Sequence, residues 1–453
     1  MKVSYNWIRE LVDVEWAPEE MAHRLTLAGT ACESIVPLSE RFEHMVVGEI
    51  LEVKAIPGAD RIRLAQVDIG SDKLSIICGA PNLETGQKAA VAKLGAALPG
   101  GLKVEALSKF GVESRGMLLS EAELELSEDH RGIMVIPGEF KPGDPLAQAL
   151  QLDDYSLEFE LTPNRPDSMS AIGIARDVAA LSGKRIRRPE WSLSESGGKT
   201  ADNIQVEIED PDFCPRYAAR IVKNVVIKQA PQWMRARLLA SGVTPINNVV
   251  DVTNYVLLET GQPLHAFDLS HFSTGKVVVK RASGKQKYTT LDGIEREVDE
   301  SVLMITNGPE YLAAGGVMGG LKSSITETTT DVLLESAYFE PSSIRKSRKK
   351  LGLSTDASAR FERGVDPNGT ALAINRAAQL LSETADGSVC DGVVDSYVKK
   401  IAPRKINLRP ERVNQILGTQ IQTPEIVDIL RGLEFEVQNG DILNVTAPTF
   451  RPD

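Results

Sequence analysis

Three stretches of the chain carry residue types and spacings that could do chemistry. The first holds His265, one of only five histidines in 453 residues. Gly261 and Pro263 read as a helix stop, so residues 262–267 are expected to form a fixed loop presenting an imidazole. An imidazole titrates close to neutrality and can hold a water or move a proton. An incidental loop histidine is the plainer alternative. The second stretch holds Glu335, inside the apolar run 331–339. That run reads as a buried strand, where a carboxylate requires a partner, either a salt bridge or a ligand in a pocket. The third is the cluster Gly315, Gly316, Gly319 and Gly320. Gly315 and Gly320 have the separation of a phosphate-binding loop, but Leu321 stands where the lysine must be, and the dinucleotide fingerprint fails as well. Four glycines in six residues still mean that backbone passes close to something, whether a ligand or a neighbouring strand.

Two further segments lie near these. Residues 344–350, IRKSRKK, carry five positive charges in seven, among them Arg345, Lys346, Arg348 and Lys349. Such a run is either a solvated helix face or a contact to a phosphate backbone. Thr355, Asp356, Ala357 and Ser358 read as a helix start capped by Thr355 or Asp356.

The elements that must position these groups follow from periodicity. Val249, Val252, Val256 and Leu257 recur at helical spacing, which predicts a helix over 248–260 with Asn248 as its cap. Asp251, Thr253 and Asn254 put polar groups into that apolar helix, and they must face either water or a site. Helices are also expected at 231–241 and 370–385. Ile204, Val206 and Ile208 alternate with polar residues, the pattern of a half-buried strand. Strands are expected at 277–280 and 288–291, with Asp292-Gly293 a hairpin turn. Residues 203–400 thus read as one large α+β domain.

Upstream, residues 45–150 change character. Short apolar runs at 46–47, 62–67, 74–78, 89–91 and 133–136 are separated by Gly, Pro and Asp-rich turns, which predicts a small closed β-barrel. Residues 1–38 read as a short strand or turn and then a helix that Pro18 starts and Gly29 stops. The rigid turn 162–167 leads into a helix over 171–181 stopped at Gly183. After the basic run 184–188, the segment 191–199, beginning at Trp191, is a linker by composition. From Asn407 a new unit opens with a short helix at 410–417. The chain stops just after a strand-like run, 442–447, which is expected to be a fragment boundary of a longer chain.

At this length about three domains are expected. The composition, 42% hydrophobic and 25% charged, is that of an ordinary soluble protein. No apolar run approaches the roughly 18–20 residues that span a bilayer, and residues 1–12 lack the apolar core of a signal peptide. The four cysteines, Cys32, Cys78, Cys214 and Cys390, form no CxxC pair, so neither a zinc knuckle nor a disulfide framework is expected. These features together suggest reduced thiols and a cytoplasmic setting. A net charge of −12 argues against non-specific coating of nucleic acid but allows a local basic patch.

The motifs taken together resemble a known family. Residues 46–50 (VVGEI), 59–62 (ADRI), 78–82 (CGAPN) and 111–117 (GVESRGM) are similar to the OB-fold tRNA-binding module of several synthetases. Residues 247–268, the 315–320 glycines, Leu333-Leu334-Glu335-Ser336 and Arg360-Phe361-Glu362-Arg363-Gly364 resemble the editing region of the bacterial phenylalanyl-tRNA synthetase beta subunit. The order of these pieces matches the N-terminal portion of that subunit. The resemblance implies a multidomain α+β chain: a discontinuous N-terminal α/β domain (1–39 plus 152–195), an inserted OB-fold β-barrel (40–151), an α+β editing domain (200–400) and the start of a small α/β domain (401–453).

It further implies the beta subunit of an (αβ)2 heterotetramer that charges tRNA(Phe) with phenylalanine using ATP and Mg2+. The aminoacylation site would lie on the alpha subunit. The beta chain would hydrolyse mischarged tyrosyl-tRNA(Phe), with Glu335 accepting the tyrosine phenol and His265 orienting the attacking water or the terminal ribose. Thr253, Asn254, Gly315, Gly316, Gly319, Thr355 and Ala357 would complete the pocket, and the smallness of Ala357 would keep it open. Asp453 would be the first of several acidic magnesium ligands near the subunit interface, the others lying beyond this chain. Thr244 departs from the arginine expected at its position, which leaves a non-catalytic tRNA-binding subunit as the competing reading.

Overall fold

A computed structural model of the chain describes residues 1–190 and 192–453; Trp191, where the expected linker begins, lies outside the described residues. The organising element is a six-stranded sheet. Glu195–Lys199, Ser388–Asp391, Arg216–Lys223, Val332–Tyr338 and Leu264–Asp268 lie side by side in that order, and Val394–Tyr397 also pairs with Arg216–Lys223. Alternation sends Ala218, Val222, Leu334 and Ala266 to one face of this sheet and Tyr217, Ala219, Leu333 and Phe267 to the other.

The first face is covered by helices. Asn248–Thr260 brings Val249, Val252 and Val256, and Gly369–Thr384 brings Ala373, Ile374 and Ala377. The same core continues into the N-terminal residues Val3, Trp7, Ile8 and Leu25, and into Leu157, Ile174 and Val178. The second face packs on another sheet, ordered Gln205–Ile208, Lys276–Arg281, Leu303–Thr306, Tyr311–Ala314 and Met318–Gly319. At one end of this sandwich the Leu264–Asp268 edge of the first sheet meets the Met318–Gly319 edge of the second.

Residues 45–145 contain a separate five-stranded sheet, ordered Lys73–Cys78, Ala59–Asp68, Met45–Ile56, Lys88–Lys93 and Gly116–Leu118. Its two edges approach, with the Arg115 N–H donating to Ser75 O at 2.9 Å, so the sheet is nearly closed. Lys405–Leu408, Leu443–Thr446 and Glu436–Gln438 form a three-stranded sheet with two helices, Pro410–Leu417 and Thr423–Gly432. Among the described residues no helix is long and apolar enough to cross a membrane.

Four expectations are corrected. The helix cap is Asn247, whose side chain accepts from the N–H groups of Val249 and Val250; Asn248 is already helical and donates to Val226 O and Thr384 O. Residues 262–267 are not a loop, because Leu264–Asp268 joins the sheet immediately after Gly261 and Pro263 break the helix. The segment read as a linker contains Glu195–Lys199, a parallel edge strand beside Ser388–Asp391. Its glycines permit close approach: a Cβ on Gly197 would lie 2.7 Å from Ser388 O. Residues 133–136 make backbone bonds and a single bridge, Ala89 to Val135, but form no strand, whereas Gly116–Leu118 does.

Candidate active site

The antiparallel register of Leu264–Asp268 against Val332–Tyr338 places His265 directly opposite Glu335. Residues so paired share a face of the sheet, with Cα atoms on the order of 5 Å apart. That face looks toward the second sheet. His265 and Glu335 line a cavity of about 90 Å3 together with Ala313, Gly316, Gly319 and Ala357.

Glu335 is buried, and its partner is neither a cation nor solvent. The phenol of Tyr217, fully buried on the neighbouring strand, donates to Glu335 Oε2 at 2.7 Å. Burial pushes the Glu335 carboxyl up to about 7, and the phenol's hydrogen bond only partly counteracts this. The same burial, with Glu335 beside it, holds the Tyr217 phenol well above its ordinary range, so it stays a donor. Sequence reasoning missed Tyr217.

His265 rests edge-to-face on Phe267, ring centroids 4.3 Å apart. Desolvation pushes its imidazole down to about 4, so the ring is neutral at physiological pH. Part of the residue reaches solvent, yet Nε2 is buried and has no hydrogen-bond partner. A buried ring nitrogen without a partner costs free energy that a ligand or bound water recovers. A neutral imidazole of such low basicity orients a hydrogen-bonded water better than it removes its proton.

The glycines enclose the ring and the apolar wall beside it. A Cβ on Gly319 would lie 2.5 Å from His265 Cε1 and 2.8 Å from Nε2, so only hydrogen at this position lets the strand lie against the imidazole. Gly316 has φ +68°, and a Cβ there would meet Ile344 Cδ1 at 2.7 Å and Phe339 at 2.8 Å. Gly315 closes the same turn, its N–H donating to Leu303 O. At each of these glycines the close neighbours are protein side chains, which is the packing alternative.

Thr355 caps the helix Asp356–Phe361 with a capping box, and its hydroxyl also donates to Val317 O at 2.8 Å, which ties the cap to the glycine turn. Ala357, in the first turn of that helix, reaches the cavity. Thr253 and Asn254 do not line it. Their helix packs on the opposite face of the central sheet, and the Thr253 hydroxyl donates back to Val250 O. The expectation that this helix forms a wall of the pocket is thereby corrected, since the sheet stands between. Thr244 is exposed, ahead of the same helix, and lines no part of the cavity.

The basic run occupies the helix Pro341–Leu351, which buries Ile344, Ser347 and Leu351. Arg348 pairs with Glu362 at 2.6 Å, while Arg345, Lys346 and Lys349 are exposed. The Asp453 carboxylate is held by both Arg451 Nε and Nη2 at 3.0 Å. Among the described residues no three His, Cys, Asp or Glu side chains cluster as metal ligands would.

Comparison with known proteins places the chain among the modules of aminoacyl-tRNA synthetases. Residues 213–386 match the B3/4 domain, residues 45–145 a tRNA binding domain, and residues 406–453 the tRNA synthetase B5 domain. The whole chain is 43% identical to the phenylalanine–tRNA ligase beta subunit of Syntrophus aciditrophicus and 45% identical to that of Salinibacter ruber. In each case it covers 57% of the relative's length. Over its whole length the chain is similar to phenylalanine–tRNA ligase beta subunits, and it spans little more than half the length of those relatives. An N-terminal fragment of the phenylalanyl-tRNA synthetase beta subunit from Pyrococcus horikoshii superposes only partially, with 16% identity and a TM-score of 0.32 over 66% of this chain and 83% of the fragment.

Proposed function

We propose that the His265 cavity is a hydrolytic editing site for tyrosyl-tRNA(Phe), carried on the beta subunit of a phenylalanine–tRNA ligase. The observation that carries this reading is the cross-strand pairing of His265 with Glu335 at a small, partly open cavity. A pocket that binds phenylalanine through apolar contacts rejects an added hydroxyl only weakly, by about a hundredfold. A second site that demands the hydroxyl corrects the error. Here Tyr217 occupies one oxygen of Glu335 and leaves the other for the phenol of a tyrosyl group. A phenylalanyl group leaves that oxygen unpaired, at a cost of about 1–3 kcal/mol.

Hydrolysis itself forms a bond from water oxygen to the ester carbonyl carbon and breaks the bond to the ribose oxygen, which leaves with a proton. His265 Nε2 holds the water or the ribose hydroxyl in line, and the glycine turn keeps side chains out of its way. The near-closed sheet of residues 45–145 is, in this reading, an OB-fold that holds tRNA. The alpha subunit completes an (αβ)2 enzyme and carries the aminoacylation site. ATP and Mg2+ serve that site, and no step here runs through Asp453.

The competing reading, a tRNA-binding subunit with a degenerate site, rests on Thr244. That residue lies outside the cavity walls, so its departure leaves the lining unchanged. The deciding measurement is release of tyrosine from tyrosyl-tRNA(Phe), with phenylalanyl-tRNA(Phe) alongside, by the chain alone and in complex with the alpha subunit. His265→Ala and Glu335→Ala are each expected to slow tyrosine release at least tenfold, about 1.4 kcal/mol. If both leave the rate unchanged, the assigned site is wrong.

A further inference from the structure

The helix Pro341–Leu351 divides its cations into two sets. Arg348 and Lys350 are neutralised: Arg348 by Glu362, and Lys350 by Asp299 at 2.9 Å and Glu297 at 3.5 Å. Arg345, Lys346 and Lys349 are exposed and form no ion pair among the described residues; Glu340 is the acid that feels Lys346, from longer range. Arg345, Arg348 and Lys349 line an open groove of about 450 Å3 with Gly352, Leu353 and Ser354. No carboxylate lines this groove, in a chain whose net charge is −12.

A short stretch of chain joins a residue that lines the groove to one that lines the cavity. Ser354 precedes Thr355, which holds the glycine turn through Val317 O, and Ala357 lines the cavity. Three residues of backbone span at most about 11 Å, so the end of the groove lies within that distance of the cavity wall. Unneutralised cations along a groove match a polymer with one negative charge per repeat.

We propose that this groove is a phosphodiester track: Arg345 and Lys349, which line it, and the adjacent exposed Lys346 hold the backbone of the single-stranded 3′ end of an RNA whose terminal ester enters the His265 cavity. The inference rests on the hydrolytic reading of that cavity. The Arg345→Ala/Lys346→Ala/Lys349→Ala variant of the full chain tests it. All three side chains are exposed, and an unchanged Tm verifies that the variant is folded.

With tyrosyl-tRNA(Phe), the variant raises KM about tenfold while kcat holds, and the dependence of log KM on log salt flattens by about two. With the tyrosine 3′-ester of adenosine, which has no phosphate, wild type and variant run at the same rate. The charge-retaining variant Arg345→Lys/Lys346→Arg/Lys349→Arg keeps KM near wild type. An unchanged KM and salt slope for tyrosyl-tRNA(Phe) in the alanine variant overturns the proposal. If the wild-type chain hydrolyses neither ester, the hydrolytic reading fails. The track is then judged by fluorescence anisotropy with a short fluorescein-labelled single-stranded RNA: weaker binding by the alanine variant supports it, and equal binding overturns it.

Discussion

Tyr217 donates its phenol proton to one oxygen of Glu335, so anything entering the cavity meets a carboxyl with one oxygen already taken. Removing that donor with Tyr217→Phe leaves the carboxyl less stabilised in its charged form. Its pKa is expected to rise, moving the Glu335-linked limb of the pH–rate profile for tyrosyl ester hydrolysis to higher pH, with stability lowered by about 1–3 kcal/mol. A profile that does not move shows that Tyr217 has no hold on Glu335.

The two titrating groups also act on folding, with opposite signs. Between about 4.5 and 7 native Glu335 keeps a proton that the unfolded chain has lost, so its contribution falls as pH rises. Between about 4 and 6.5 the unfolded chain protonates His265 and the native one does not, so that contribution falls as pH drops. The slopes offset each other over most of this window, and above pH 6.5 the Glu335 loss stands alone. Glu335→Gln should therefore gain on wild type between pH 6 and pH 8, by about 1.4 kcal/mol in denaturant unfolding. Parallel curves for the two proteins would contradict the assignment.

At the scale of elements, the glycine turn does two separable jobs. Gly319→Ala puts a methyl group against the His265 ring. It is expected to cut tyrosyl ester hydrolysis at least tenfold while the Tm shifts little, because the ring can swing toward the cavity. Gly316→Ala forces a left-handed backbone onto alanine and pushes into Ile344 and Phe339, so stability falls by about 1–3 kcal/mol. Calorimetry together with hydrolysis rates separates the two, and a Gly319→Ala enzyme with full activity refutes the contact to His265.

The elements themselves were legible where periodicity and breakers act locally. Helix 248–260 ends at Gly261 as expected, and the helix at Pro18 starts at that proline. Sheet membership was not legible, because pairing joins residues far apart in sequence. Leu264–Asp268 looked like a loop because its pattern is short and its partner lies nearly seventy positions on. Tyr217 did carry a signal: a hydroxyl among the apolar residues Ala219 and Ile221, on the same face of the strand Arg216–Lys223, needs a partner for the same reason Glu335 does. Matching the two unpaired polar groups would have found their bond. Thr253 shows the converse, since a polar residue on an apolar helix can be satisfied by its own backbone.

At the scale of the whole molecule, the cores do not respect the expected domain limits. The N-terminal residues share one core with the central sheet, and Ala236 and Ala240 of the helix Gln232–Ala240 join the core that lines the 45–145 sheet. A buried ion pair, Arg235 with Glu121 at 2.5 Å, reinforces that second junction. Arg235→Ala leaves Glu121 buried with only Ser127 and Gln229. Thermal unfolding is expected to lose about 3 kcal/mol and to split, with residues 45–145 melting ahead of the rest. A single transition at the wild-type Tm would show that the two cores are not coupled through this pair.

The shared core has a consequence for synthesis. Val3 and Trp7 leave the ribosome well before Val389, which belongs to the same core. At about 5–20 residues per second, roughly 20–75 s separate the two ends of that core. Throughout that interval the apolar faces of the first helices travel on a nascent chain without their final partners. They are the segments on which a ribosome-bound chaperone would be expected to act, and codon-level changes in elongation rate between them and Val389 would alter soluble yield without altering a single residue.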